Sequence, residues 1–203
     1  PNDSIRVYPG WNTIGNVTKV YNVLGLAFSP FQLNLPSTAY TRAAGVWRYV
    51  TSRGYEEVSE MRPGLGYWIK CDNNGFLSLD IRNTKFSLAE AGNAKEAAYN
   101  SSLKLTVADN AQNLGTLYLG NNVNEANFEL PPAPPTEMFD VRFNQNTNLT
   151  VADEAVVRIQ GVEYPVALRM ENANATYNFY EAATGEYLGQ IAEGENGSVE
   201  VTR

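Results

Sequence analysis

Hydrophobic and polar residues alternate along much of the chain, in short runs that glycine, proline and asparagine separate. An alternation with a period of two is typical of a half-buried β-strand, and the separating residues favour turns. In the first half it predicts strands at 5–8, 11–14, 46–50, 55–58, 67–71 and 76–79. Two prolines interrupt a further run at 28–36, which we therefore expect to be an edge strand or a packed loop.

The second half of the chain alternates more regularly. It predicts strands at 103–107, 116–120, 139–143, 156–159, 164–170, 175–180, 186–191 and 197–201. Thr184 and Gly185 are placed to turn a hairpin between 175–180 and 186–191. About eight short strands, with a turn every ten residues or so, predict a β-sandwich of the immunoglobulin or fibronectin type.

The strand pattern stops between residues 83 and 102. Ser87 and Glu90 have the spacing of a capping box, and the alanines after them are compatible with one or two helical turns, interrupted by Gly92 and Asn93. We interpret this stretch as a partly helical linker. The predicted fold class is therefore all-β with two small domains, a tryptophan-rich β domain at 1–82 and a fibronectin-like β-sandwich at 103–203.

A proline-rich segment leads into the most strongly alternating strand. Four prolines between residues 131 and 135 fix φ and lack a backbone N–H, so the segment cannot pair inside a sheet and should run as an extended connector. In the strand after it, hydrophobic residues 139, 141 and 143 share one face, and Asp140 and Arg142 share the other. We expect these two charged residues to pair as a surface or inter-sheet salt bridge.

Three groups of residues resemble a known kind of module. They are the runs 10–15 and 63–70, the strand-forming segments 103–109 and 116–120, and LPPAPP followed by FDVRF at 130–143. The combination is similar to modules that precede the sorting domain in secreted and cell-surface proteins exported by bacterial type IX secretion. The resemblance implies a secreted or cell-surface location, a sorting domain after Arg203, and O-glycosylation of Ser4 within Asp3-Ser4-Ile5. It implies no particular activity.

Charge and residue usage exclude several classes of function. The chain has 15 basic and 22 acidic residues, so it offers no basic surface to a nucleic acid or an anionic membrane. Histidine is absent, which removes the usual general base near neutral pH and the commonest transition-metal ligand. No apolar run approaches the ~20 residues of a membrane-spanning helix, and no leader precedes Pro1, so we expect a mature or trimmed form. We predict no cofactor, no metal and no membrane insertion.

Cys71 is the only cysteine, so an internal disulfide and a metal–thiolate cluster are excluded. We expect a buried, unreactive thiol because no histidine can activate it, with an intermolecular disulfide as the alternative. The next four residues, 72–75, read Asp-Asn-Asn-Gly. They predict a β-turn, and the alternative, a calcium site, needs more oxygen ligands than the sequence identifies.

Aromatic residues are the sharpest candidates for ligand binding. If several lay coplanar and exposed on one sheet face, they would form a platform on which sugar rings stack. The candidates are Trp11, Trp47, Tyr49, Tyr55, Tyr67 and Trp68. Alternation places Tyr67 and Trp68 on opposite faces of one strand, so at most one points into the core. In the alternative interpretation, the tryptophans form the core and the tyrosines line its rim.

Neither the acidic residues nor a repeated pentapeptide indicates an active site. A glycosidase needs two suitably spaced carboxyl groups, but the acidic candidates lie in no recognisable motif, and we expect most of them on solvated edges and turns. They are Glu56, Glu57, Glu60, Asp140, Asp153, Glu154, Glu193 and Glu195. Leu-Thr-Val-Ala-Asp occurs at 105–109 and at 149–153, and because the flanking residues differ we interpret it as a shared strand-then-turn solution.

These observations favour a non-enzymatic, extracellular structural protein. It would be a cell-surface, stalk or fibre-forming subunit whose partners are copies of itself or other surface proteins, joined through edge strands. The candidate assembly residues are Ile5, Val7, Val199 and Val201. The first alternative is a carbohydrate-binding accessory module that binds polysaccharide through the aromatic residues. The second is a segment of a larger secreted hydrolase.

Overall fold

The computed structural model describes residues 4–15, 20–23, 27–30, 45–78 and 89–202. Strands dominate this part of the chain, which confirms the predicted all-β class, and its one α-helix is α1, Ala89–Ser101. Contacts between residues divide the chain into two compact units. Unit 1 comprises Pro1–Tyr49 and Tyr55–Ala94, and unit 2 comprises Val50–Gly54 and Lys95–Arg203.

Most of the strands before α1 lie close to their predicted positions, and two short ones, at 21–22 and 60–61, were not predicted. The strands are β1 Ser4–Val7, β2 Gly10–Gly15, β3 Tyr21–Asn22, β4 Ala27–Pro30, β5 Val46–Val50, β6 Gly54–Glu57, β7 Glu60–Met61, β8 Gly66–Cys71 and β9 Gly75–Ser78. Their sheet orders are β1-β9-β4, β2-β8-β5-β6 and β3-β7. Among the described strands β4 ends its sheet, which fits the edge strand rather than the packed loop predicted for 28–36, and residues 31–36 lie outside the described part of the chain.

Two antiparallel ladders follow each other along the chain in unit 1. β1 pairs with β9 and β2 pairs with β8, and Gly10 lies opposite Cys71 at the end of the second ladder. Gly10 has φ of +92°, a conformation that favours glycine. The Asn12 side chain holds the turn, because it accepts the Tyr8 N–H at 2.9 Å and donates to the Tyr8 carbonyl at 2.7 Å. The Gly-Trp-Asn run is therefore a corner between two sheets.

The strands after α1 also follow the predicted order. They are β10 Leu103–Ala108, β11 Leu114–Leu119, β12 Asp140–Phe143, β13 Leu149–Thr150, β14 Val157–Gln160, β15 Val166–Met170, β16 Tyr177–Tyr180, β17 Tyr187–Ile191 and β18 Gly197–Val201, with a 3-10 helix at Glu125–Phe128. One sheet has the order β13-β11-β10-β15-β18, and the pairs β12-β14 and β16-β17 form two more. Side chains from all three meet in one core, as in a sandwich. β10, the first strand of unit 2 after α1, lies in the centre of its sheet, whereas the first strand of an immunoglobulin constant domain lies at a sheet edge. The fibronectin-like subtype therefore stays a prediction.

α1 is longer than the predicted helical turns. It runs through Gly92 and Asn93, and the expected interruption there is wrong. A glycine costs a helix only about 1 kcal/mol relative to alanine, and packing can offset that cost. The C-terminal half of α1 does pack, because Ala98 is buried in a cluster with Phe128 and Leu149. Residues 95–101 are therefore part of unit 2.

The proline-rich segment covers one face of β12. All four residues of β12 are buried, with Val141 and Phe143 in the core. On the other face Arg142 forms two hydrogen bonds to Asp140, from Nε to Oδ2 at 2.5 Å and from Nη2 to Oδ1 at 2.8 Å, and it donates to the Pro131 carbonyl at 2.8 Å. The predicted pairing of Asp140 with Arg142 is confirmed, and of its two predicted locations, surface or inter-sheet, the surface one is wrong because both residues are buried. Each residue is 3% exposed.

Side chains rather than a strand ladder hold the proline-rich segment in place. The Gln160 Nε2 donates to the carbonyls of Pro134 at 3.1 Å and Pro135 at 3.0 Å. Asn146 accepts from Arg142 and donates to the Leu130 carbonyl at 2.9 Å. Prolines offer carbonyl acceptors but no N–H donors, so donor side chains suit them. The prediction that this segment is a connector outside the strand ladders is confirmed.

Candidate functional site

The three tryptophans share one face of a sheet in unit 1. In the ladder of β2 with β8, Trp11 lies opposite Lys70 and Thr13 opposite Trp68. In the ladder of β5 with β8, Trp47 lies opposite Trp68. Directly opposed residues of an antiparallel pair point to the same face, so β2, β8 and β5 present Trp11, Trp68 and Trp47 together.

This set does not form an exposed aromatic plane. Trp47 is 1% exposed, so no sugar ring can reach its face, and its predicted role as a stacking residue is wrong. Trp11 and Trp68 are half-buried. Tyr49 and Tyr55, also half-buried, contact each other with ring centroids 5.4 Å apart and planes inclined at 79°, so part of each ring is covered by its neighbour.

Tyr67 and Trp68 point to opposite faces of β8, as predicted. Tyr67 is 1% exposed and lies in the core with Ile69, whereas Trp68 is only half-buried. The Tyr67 hydroxyl accepts the Arg62 N–H at 2.6 Å. A buried tyrosine needs such a partner for its polar end, so Tyr67 serves the core rather than a ligand.

Cys71 is a core residue. It is 1% exposed among the apolar side chains of unit 1. Burial, followed by the negative charge of Asp72, raises the pKa of the thiol from 9.0 to about 11. Very little thiolate then exists at neutral pH, and the thiolate is the reactive form. The predicted burial of the thiol is confirmed, and a disulfide to another chain would require the core to open.

Asp72, Asn73 and Asn74 form the exposed connection between β8 and β9, and Gly75 is the buried first residue of β9. Because β8 pairs with β2 and β9 pairs with β1, this connection lies beside the turn that Asn12 holds. Within the described residues, no group of three or more acidic or cysteine side chains is placed to hold a metal ion.

The candidate assembly residues lie on two edge strands. β1, with Ile5 and Val7, ends one sheet of unit 1, and β18, with Val199 and Val201, ends the five-stranded sheet of unit 2. Val7 is fully buried and Val199 is 5% exposed. These valines anchor the strands to the cores, so the backbone edges, not the valine side chains, are what a partner could contact. Ser4, the candidate O-glycan site, is the first residue of β1.

Most of the candidate carboxylates lie apart on the surface, as expected. Asp153, Glu154, Glu193 and Glu195 are exposed, and the half-buried Glu56 forms an ion pair with Arg48 at 3.2 Å. The exceptions are the buried Asp140, already described, and a carboxylate that the sequence did not single out. That residue, Asp109, is 9% exposed.

Asp109 ties the turn after β10 to a distant loop. Its Oδ1 accepts the Asn113 N–H at 2.8 Å, and its Oδ2 accepts the Asn113 Nδ2 at 2.8 Å and the Glu163 N–H at 3.0 Å. Burial acts to raise the pKa of Asp109, but the hydrogen bonds from Glu163, Asn113 and Ala111 outweigh it and lower the pKa. Every acceptor is occupied by a protein donor, which is typical of a structural carboxylate.

Sequence reasoning also missed an exposed pair of tyrosines. Tyr180 and Tyr187 face each other across the β16–β17 hairpin and are 58% and 52% exposed. The signal was available, because both flank the predicted turn at Thr184 and Gly185 and alternate with the inward-facing Phe179 and Leu188. The tryptophans, which the sequence favoured as binding residues, are less exposed.

No protein-family model matches this chain, and no curated protein sequence or solved structure shows significant similarity to it. Within the part of the chain that the structure describes, no helix has the length and apolar character needed to cross a membrane.

Proposed function

We propose that this chain is a non-enzymatic, extracellular structural module that joins copies of itself through the edge strand β18. The observation that carries the proposal is the position of β18. It occupies the predicted assembly segment, Gly197–Val201, and it ends the largest sheet. Within the described residues, its strand ladder is with β15 alone.

β18 has the chemistry of a strand that can accept a neighbour. Val199 faces the core, whereas Ser198 and Glu200 are exposed. The packing of Val199 and the ladder with β15 thus hold the strand in place. The edge of β18 that faces away from β15 carries backbone N–H and C=O groups. An added strand would continue the five-stranded sheet by main-chain hydrogen bonds, which is the general route of β-augmentation.

The extracellular part of the proposal is supported by the resemblance of residues 10–15, 63–70 and 130–143 to modules of proteins exported by type IX secretion. Edge strand β1 offers a second joint, in unit 1. The alternative, carbohydrate binding through the aromatic face of unit 1, has weaker support because Trp47 is buried and Trp11, Trp68, Tyr49 and Tyr55 are half-buried.

The test compares wild-type protein with a charged-edge variant, Ser198→Lys/Glu200→Lys. Lysine on an edge strand opposes pairing with another strand, so this variant should remain monomeric. Wild-type protein should form ordered oligomers or filaments at high concentration, measured by multi-angle light scattering and negative-stain electron microscopy. A strictly monomeric wild-type protein would contradict the proposal.

A matched control variant distinguishes blocking of the β18 edge from the effect of a changed net charge. Thr116→Lys/Glu193→Lys makes the same change in net charge at two exposed positions away from β18. Thr116 lies on β11, which has a strand on each side, and Glu193 lies after β17. The control variant should assemble like the wild type. Loss of assembly in both variants would point to net charge and against a joint at β18.

A further inference from the structure

The β16–β17 hairpin carries an aromatic pair on its outer face. Tyr180 lies opposite Tyr187, with ring centroids 5.4 Å apart and planes inclined at 61°. Both rings are more than half exposed. The inner face of the hairpin is different in kind, because Phe179 and Leu188 pack against the core of unit 2. The outer pair contributes little to that core.

A β-bulge sets the direction of the pair. The register of the hairpin shifts between Phe179 and Tyr180, after Phe179 has paired with Gly189. Gly189 has φ of +151°, and a Cβ there would come within 3.1 Å of the Val199 side chain. The bulge and this close approach keep Tyr187 on the outer face beside Tyr180. Bulges commonly re-aim a side chain in this way at functional sites.

Two amide side chains extend the same face. Asn178 and Gln190 lie opposite each other, next to the tyrosines, and both are exposed. The Tyr187 hydroxyl lies 3.5 Å from the Gln190 Oε1, which places that amide at the edge of the ring. The face therefore combines two apolar ring surfaces with amide groups that both donate and accept hydrogen bonds.

We propose that Tyr180, Tyr187, Asn178 and Gln190 form a binding site for a neutral saccharide. The apolar C–H face of a sugar ring packs on an aromatic ring, and its hydroxyl groups pair with amides, so the two kinds of side chain match the two kinds of surface on the ligand. The inclined rings contact a chain of sugars on two sides. The site does not depend on assembly through β18.

Charge and size favour a neutral saccharide over other ligands. Glu186 lies next to Tyr187 and is exposed, and the chain carries a formal net charge of −7, so anionic glycans are repelled. A stable protein interface needs roughly 800 Å² from each partner, usually around large buried anchors. Two tyrosines and two amides on a two-stranded hairpin offer much less than that.

The test is retention on neutral polysaccharides. Wild-type protein is run in native gels containing soluble β-glucan, xylan or mannan, and is pulled down with cellulose and chitin, with alginate as the anionic comparison. We expect retention by at least one neutral polysaccharide and none by alginate. Tyr180→Ala and Tyr187→Ala should each weaken binding about tenfold, because each removes one stacking surface. Circular dichroism checks that these surface variants remain folded.

Two further variants separate the site from general effects. Tyr8→Ala removes a tyrosine of similar exposure, 51%, in unit 1, and should bind like the wild type. Tyr180→Phe/Tyr187→Phe keeps both rings and should retain most of the binding, since stacking uses the ring rather than the hydroxyl. The proposal is overturned if no neutral polysaccharide retains the wild type, or if the alanine variants bind as well as Tyr8→Ala. If no neutral polysaccharide retains the wild type, a protein would be the remaining candidate ligand for Tyr180 and Tyr187.

Discussion

The pentapeptide Leu-Thr-Val-Ala-Asp occurs twice in unit 2 and adopts two different structures. At 105–109 it supplies most of β10, in the middle of the five-stranded sheet. At 149–153 only its first two residues form a strand, β13, which runs parallel to β11 at the sheet edge. The predicted strand-then-turn structure holds for the first copy only. Identical side chains take their roles from the neighbours that the rest of the chain supplies.

The neighbours of the two copies differ in number and in kind. β10 is paired on both sides, with β11 and β15, and its turn is fixed by the hydrogen bonds of Asp109. β13 has one strand neighbour, and the chain after it is held by Glu125, whose Oε1 accepts the Val151 N–H at 2.6 Å. Each copy of the pentapeptide therefore serves as a control for substitutions made in the other copy.

The largest expected loss of stability comes from substituting the leucine that begins each copy, and we expect it in both copies. Leu105 is 3% and Leu149 is 0% exposed, although they lie in different clusters of unit 2. Leu105→Ala and Leu149→Ala should each lower the free energy of unfolding by about 2–5 kcal/mol, because each leaves a cavity in a packed cluster. Urea unfolding followed by circular dichroism measures both. A neutral Leu149→Ala would mean that the second copy is not anchored at all.

Tryptophan fluorescence supplies a separate readout for these variants. The chain's three tryptophans are Trp11, Trp47 and Trp68, and all of them belong to unit 1. Circular dichroism reports on strands of both units, whereas fluorescence reports on unit 1. Variants in unit 2 should therefore move the transition seen by circular dichroism more than the one seen by fluorescence.

The third residue of the pentapeptide should separate the two copies. Val107 is fully buried, whereas Val151 is 40% exposed. Val107→Ala should cost about 2 kcal/mol of stability through lost packing, and Val151→Ala less than about 0.5 kcal/mol. The same urea titration compares them. Equal costs would show that Val151 is covered in solution and that the two copies are more alike than the structure indicates.

The fifth residue should separate them through hydrogen bonds. Three donors from Asn113 and Glu163 are bound to the two oxygens of Asp109. Asp109→Asn replaces one of these oxygens by an N–H₂ group, which cannot accept a hydrogen bond. We therefore expect the free energy of unfolding to fall by about 1.5 kcal/mol. Asp153 is exposed, and Asp153→Asn should be neutral within about 0.5 kcal/mol. Equal stability of the two variants would contradict the structural role of Asp109.

The stability difference between wild type and Asp109→Asn should depend on pH. The pKa of Asp109 is lowered from 3.8 in the folded state, so its carboxylate stabilises the fold fully above its unfolded pKa. That contribution is lost as the pH falls through the lower, folded pKa. Urea titrations at about pH 7 and below about pH 4 should show the difference shrinking on acidification, whereas Asp153→Asn should show no such change.

The two copies also show what the sequence could and could not predict. Alternation is a local property, so strand positions such as Gly197–Val201 were predicted correctly. Burial is not local. Trp47 and Trp68 are opposed on one face, yet one is buried and the other half-buried. The Asp140–Arg142 pair was predictable from its spacing, but its burial depends on prolines earlier in the chain. Asp109 and Asp153 follow identical residues and differ only in long-range partners.

Substitution of the second residue of the pentapeptide, threonine, should have the smallest effect on stability. Here the second copy, rather than the first, should be the more sensitive. Thr150 is 1% exposed, and its Oγ1 donates to the Glu125 Oε1 at 2.7 Å and accepts the Ala152 N–H at 3.2 Å. Thr106 is half-buried in β10, opposite Thr116 and Arg169. Valine has the shape of threonine without its hydroxyl, so Thr150→Val should cost about 1 kcal/mol and Thr106→Val less than about 0.5 kcal/mol.

This reversal tests the comparison more strictly than the larger effects do. If the first copy were simply the better packed segment, every substitution in it would cost more than the matching one in the second. A double-mutant cycle of Thr150→Val with Glu125→Ala isolates the hydroxyl–carboxylate bond, because unfolding by urea then yields the coupling energy of the pair. Coupling near zero, or a costlier Thr106→Val, would mean that Glu125 does not hold the second copy. A clear coupling would show that each copy is fixed by a different residue of the same sequence, Asp109 in one and Thr150 in the other.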